Sequence, residues 1–124
     1  METNKNYTEE EIQELVAKKT EELEFEHKTT ILPLLFNHKG NWIVGYVKKP
    51  SRTTIRVAGD KMEKYGKLEA GELILQTSLL RDVSDSRILS EEPQYDGINL
   101  GACLEVLSLM DISMSIAKKN STNL

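Results

Sequence analysis

Much of what enzymes use is scarce in this chain. Its one cysteine, Cys103, allows neither an intrachain disulfide nor a thiolate metal site. Cys103 falls on an apolar helical stripe, which makes it a core residue rather than a nucleophile. The two histidines, His27 and His38, have no second ligand type at metal-binding spacing. Glu24 and Glu26, beside His27, belong to a glutamate run that reads as a solvated helix end. No GxSxG elbow, Walker loop or GxGxxG turn occurs, and Gly59 and Gly66 flank a segment without the lysine-serine/threonine ending of a phosphate cradle. The acidic sets Asp82 with Asp85, and Glu91 with Glu92 and Asp96, lack the alternation and terminal glutamate of a calcium loop. The expectation is a non-enzymatic protein with no cofactor and no metal.

Long apolar runs are missing too. None approaches the roughly 18–20 residues that span a bilayer, and the first residues are polar and acidic, unlike a signal peptide. With a single cysteine, this reads as a soluble, cytoplasmic protein in a reducing compartment.

What is present is ordinary globular composition over 124 residues, 39% hydrophobic and 29% charged, enough for one modest core. The net charge of -4 hides a segregation. Residues 1–28 hold nine acids against four bases, residues 38–67 eight bases against two acids, and residues 68–124 nine acids against four bases. The basic centre could meet nucleic acid, or it could pair with acidic parts of this chain or of a partner. The acidic overall balance weighs against nucleic acid.

Thr8 followed by Glu11 is a capping-box pattern, and Ile12, Leu15, Val16 and Leu23 recur at helical spacing. This predicts an acidic amphipathic helix over 8–24 that docks lightly on the domain or waits for a partner. Thr29–Phe36 and Trp42–Val47 predict a β-hairpin around Asn37–Asn41, with Pro33 marking an edge, a bulge or an interruption. Two strands are marginal in water, so the hairpin must be covered by helices or extended by a partner's strand, and its open edge is the first interaction candidate.

Pro50 ends the second strand and Ser51 can cap a helix over 52–65, with Ile55, Ala58, Met62 and Tyr65 on one stripe and Gly66 as the stop. Leu68 to Leu80 give a broader apolar helix. Gly71 within it costs up to about 1 kcal/mol relative to alanine unless close packing needs a small residue. Residues 81–97 read as a long polar connection, with a short helical turn near Ser86–Ser90. Asn99 is a candidate cap for a last helix carrying Leu100, Cys103, Leu104, Leu107, Met110, Met114 and Ala117, widened by Val106, Leu109 and Ile116. Lys118 and Lys119 suit its C-terminal dipole. No internal repeat is visible.

The fold class is therefore α+β: a short β-hairpin followed by a small helical bundle, with an acidic N-terminal helix. The segments are 1–28, a single domain over 29–119, and a frayed tail over 120–124.

Val44-Gly45-Tyr46-Val47-Lys48-Lys49-Pro50-Ser51-Arg52, followed by a helix, resembles the small tail assembly chaperones of tailed bacteriophages. The order of parts is similar from about residue 28 to 118; the very acidic N-terminal helix departs from it. The resemblance implies a binding role, in which such chaperones coat the helical tape measure protein and help recruit tail tube subunits. It carries over no catalytic residues. The expected partner is thus a protein client, with homo-oligomers compatible and no membrane.

The residues expected to meet the client are Trp42 and Tyr46 on the hairpin, Lys48 and Lys49 at its end, and Arg52 and Arg56 on the basic helix. Trp42, Val44 and Tyr46 share one strand face, so part of that face is committed to the core side. The alternative is a small nucleic-acid-binding or regulatory protein using Lys48, Lys49, Arg52, Arg56, Lys61 and Lys64 as a phosphate-contacting patch, with steeply salt-dependent binding.

Overall fold

In the computed structural model, the backbone is described from residue 7 to 122 and the side chains from 7 to 110. Helix α1 (Glu9–His27) opens with the capping box foreseen from Thr8 and Glu11. The Glu11 amide donates to Thr8 Oγ1 at 3.2 Å, and the Thr8 amide donates to Glu11 Oε1 at 3.0 Å. These two bonds satisfy donors that a helix start leaves open.

Strands β1 (Ile31–His38) and β2 (Asn41–Lys48) form the hairpin, each a little longer toward the turn than the apolar runs predict. The turn is the two-residue Lys39-Gly40, with φ of 51° and 84°. Positive φ at both positions is the twist-compatible hairpin turn, and Gly40 adopts it without steric cost. Asn37 Oδ1 accepts the Gly40 amide at 3.0 Å and closes it.

The register pairs Ile31 with Lys48, Pro33 with Tyr46, Leu35 with Val44 and Asn37 with Trp42. Outward groups of β2 are then those of Val44 and Tyr46, whose partners Pro33 and Leu35 point their backbone groups to the opposite edge. Pro33 thus costs the ladder nothing, and β1 runs through it with neither bulge nor interruption.

Helices α2 (Arg52–Tyr65) and α3 (Lys67–Ser78) meet at Gly66, φ 99°. Ser51 Oγ caps α2 by accepting the Thr54 amide at 3.1 Å. The expected helix over Leu68–Leu80 ends two residues early. Leu79 and Leu80 leave it extended because β2 offers them an unpaired edge: Leu79 bridges Val47, and the Leu80 amide donates to the Tyr46 carbonyl at 2.8 Å.

The connection that follows is pinned rather than loose. The Asp85 amide donates to the Val44 carbonyl at 2.9 Å, and the Tyr46 amide donates to Ser84 Oγ at 3.0 Å. Asp85 is nearly buried and holds Arg87 through Nη2 at 2.7 Å and Nε at 2.9 Å. Ile88 is fully buried in the core behind this pair, against Gly45.

After a 3₁₀ turn at Pro93–Tyr95, helix α4 (Asp96–Thr122) starts three residues before the expected cap. Asn99 instead donates to Glu72 Oε2 and to the Ile88 carbonyl, each at 3.0 Å. Met114, Ile116, Ala117, Lys118, Lys119 and the tail lie outside the residues whose side chains are described.

The architecture is α+β, a two-stranded antiparallel sheet between α1 on one face and α2–α4 on the other. The bundle face carries Leu34, Ile43 and Val47 with Ala70, Ile74, Leu75, Ile88, Ala102, Cys103 and Val106. The other face gathers Ile12, Val16 and Leu23 of α1 over Ile31, Val44 and Tyr46. A Cβ on Gly71 would sit 2.5 Å from the Cys103 carbonyl oxygen, so α3 and α4 cross where nothing larger than glycine fits. Close packing is therefore the reason for the glycine in this apolar helix. Among the described residues no helix is long and apolar enough to cross a membrane.

Candidate functional site

On the outer sheet face, α1 covers only part of the surface that β2 and the 81–86 segment offer. Its stripe of Ile12, Val16 and Leu23 is narrow, so it docks as a single rod. Beside the rod a groove of about 850 Å³ stays open. Val44 and Tyr46 form its floor, Ile12, Leu15 and Val16 one wall, and Val83 with Ser84 the other. Lys18, Lys19 and Glu22 on one rim face Arg81 and Asp82 on the other, and Lys19 pairs with Glu22 at 3.8 Å.

The floor is apolar and its backbone is spoken for. The Val44 and Tyr46 carbonyls and the Tyr46 amide already bond to Asp85, Leu80 and Ser84, so no continuous strand edge is available inside the groove. Burial, helped by the Glu22 carboxylate, pushes the Tyr46 phenol above its usual pKa and keeps it neutral. Leu15 is 47% exposed and supplies apolar surface on the helix wall.

The sequence-predicted contact residues separate into two groups. Trp42 and Tyr46 share the α1 face, where Tyr46 is a buried floor residue and Trp42 is half-buried, its Nε1 donating to the Tyr7 carbonyl at 3.2 Å. Lys48, Lys49, Arg52 and Arg56 are exposed at the hairpin end and on α2, and none lines the groove. Lys48 and Lys49 instead border a recess of about 250 Å³ with Ser51, Thr54, Thr77 and Ser78. The groove residues that sequence reasoning left out include Tyr7, Lys18, Lys19, Glu22 and the 81–86 stretch. Leu15 was on the recognised stripe, whereas nothing in the polar 81–84 stretch announces that it lies along β2.

Cys103 lies in the core between α3 and α4. Burial first, then the neighbouring Glu72 carboxylate, pushes its thiol up to about 12, so it stays protonated. Burial works against ionisation of Glu72 as well, but hydrogen bonds from Gln76, Asn99 and Cys103 outweigh it and hold that carboxyl below its ordinary value. This constellation joins α3, α4 and the connection structurally. Compared with protein-family models, curated proteins and solved structures, the chain gives no significant match.

Proposed function

We propose that the protein is a non-enzymatic assembly chaperone that seats an apolar helix of a client beside α1. The observation that carries this reading is the open groove with an apolar floor and no continuous strand edge. An extended peptide gains most of its affinity from main-chain bonds to a sheet edge, which this floor cannot supply, whereas a helix needs only apolar surface. A volume of about 850 Å³ suits roughly two turns of a helix 10 Å across, presenting residues at i, i+3, i+4 and i+7. The mixed charges on the rims suit a polar back face.

The tail assembly resemblance supplies the client class, a helical tape measure protein or tail tube subunits in the host cytoplasm. The test is titration of the chain with the tape measure protein of the same genome, followed through its single tryptophan, at low and high salt. Binding is expected to survive high salt. It should weaken about tenfold or more in Leu15→Glu, a wall residue exposed enough to leave the fold intact, and hold steady in Arg52→Glu/Arg56→Glu.

A second reading is favoured by one observation: Lys48, Lys49, Arg52 and Arg56 are all exposed and make no ion pair among the described residues. It predicts binding to nucleic acid that falls steeply with salt and disappears in the arginine double variant, with Leu15→Glu unaffected. That pattern would sink the chaperone reading.

A further inference from the structure

One edge of the sheet is closed and the other is open. The 79–85 segment bridges Val47 and bonds the Tyr46 amide and the carbonyls of Val44 and Tyr46 on the outward edge of β2. On β1 the outward positions are Ile31, Pro33, Leu35 and Asn37, the partners of Lys48, Tyr46, Val44 and Trp42. The Ile31 amide is taken by Glu24 Oε2 at 3.1 Å, and Pro33 has no amide hydrogen. The amides of Leu35 and Asn37 and the carbonyls of Pro33, Leu35 and Asn37 make no hydrogen bond among the described residues. An open edge of this kind is a template for another strand.

We infer that this edge is a self-association surface, on which β1 of a second copy pairs antiparallel about a two-fold axis at Leu35. In that register each Leu35 amide donates to the Leu35 carbonyl of the other copy, and each Asn37 amide donates to the opposite Pro33 carbonyl. Pro33 is asked only to accept, which is all it can do. The same register carries Lys39, exposed at the turn, to the end of the opposite strand where Glu24 caps Ile31, so two ion pairs of opposite sign form by symmetry. Sliding two residues toward the strand start sets Lys39 against Lys28 and Thr29 of the other copy, a like-charge meeting. Sliding two residues toward the turn leaves the Pro33 carbonyl without a strand donor. The product is a continuous four-stranded sheet, the size at which a sheet stops being marginal.

A contact made chiefly by one strand edge is smaller than the roughly 1,200 Å² of a standard interface, so the dimer is weak, with a Kd of order 100 μM. The test uses the whole chain: sedimentation from about 10 μM to 1 mM, with amide exchange read residue by residue at both ends. The expected result is a doubling of mass accompanied by protection of the Leu35 and Asn37 amides. Lys39→Glu, a turn substitution outside the core, should raise the Kd about tenfold while leaving the monomer's spectrum unchanged. A chain still monomeric at the top of that range, or a dimer whose Leu35 and Asn37 amides exchange freely, would overturn the inference. So would protection of those amides only when the tape measure protein is added, since the edge would then belong to a client strand.

Discussion

The two faces of the hairpin are made from the same eight-residue strands, yet they are covered in different ways. On the bundle face, Leu34, Ile43 and Val47 share one core with α3, α4 and the connection, and the fit is close enough that Gly71 and Gly45 leave no room for a side chain. On the α1 face, Val44 and Tyr46 meet one helix with a narrow stripe, and a groove is left beside it. The contrast teaches that a sheet face sealed by several elements is committed to stability. A face covered by one rod leaves a groove beside it.

The comparison can be broken first by paired truncations. Leu34 and Leu23 are both fully buried leucines, one on each side. Leu34→Ala is expected to cost about 4 kcal/mol, because a cavity between three layers cannot collapse, and Leu23→Ala about 2 kcal/mol, because a single rod can settle onto the gap. Chemical denaturation measures both. Amide exchange should show Leu23→Ala loosening α1 locally, whereas Leu34→Ala lowers protection throughout. Equal costs with equal spread would show that the two faces are one cooperative unit.

Gly71→Ala sharpens the contrast from the sealed side, since its sign decides the matter. On helix propensity alone alanine would stabilise α3 by about 1 kcal/mol. Overlap with the Cys103 carbonyl should reverse this to a net loss of about 2 kcal/mol, read from the denaturation midpoint. A stabilised variant would mean that α3 and α4 separate at little cost.

The smallest effect concerns Glu72, whose pKa in the folded chain lies below its ordinary 4.5. A lowered carboxylate contributes stability that is present above the unfolded value and lost as pH falls through the folded one. Stability should therefore decline on acidification below about pH 4.5, and Glu72→Gln should flatten that decline by removing the contribution that the carboxylate makes at higher pH. Denaturation midpoints at a series of pH values measure it. An unchanged slope would remove Glu72 from the bonds that tie α3 to α4.

Local chemistry was legible where a residue type answers a local need. Thr8 and Glu11 announced the start of α1, Pro50 and Ser51 the passage from β2 to α2, and Gly66 the end of α2, because caps and stops depend on neighbours three or four residues away. The departures share a different cause. Leu79 and Leu80 continue a helical apolar pattern, but an unpaired strand edge attracts their backbone more strongly than another helical turn does. Asn99 is a good cap by type, yet Glu72 and the Ile88 carbonyl claim its side chain inside α4. Trp42 and Tyr46 were recognised as partners of something, and that something includes this chain's own N-terminal segment.

By itself the sequence determined the α+β class, the hairpin, four helices and their main stops, since periodicity and capping act over a few residues. Tertiary structure alone decided which sheet edge is closed, that α1 lies on the hairpin, and that a groove remains beside it. Those outcomes depend on backbone groups and surfaces that are distant in sequence and compete for one another only once the chain has folded.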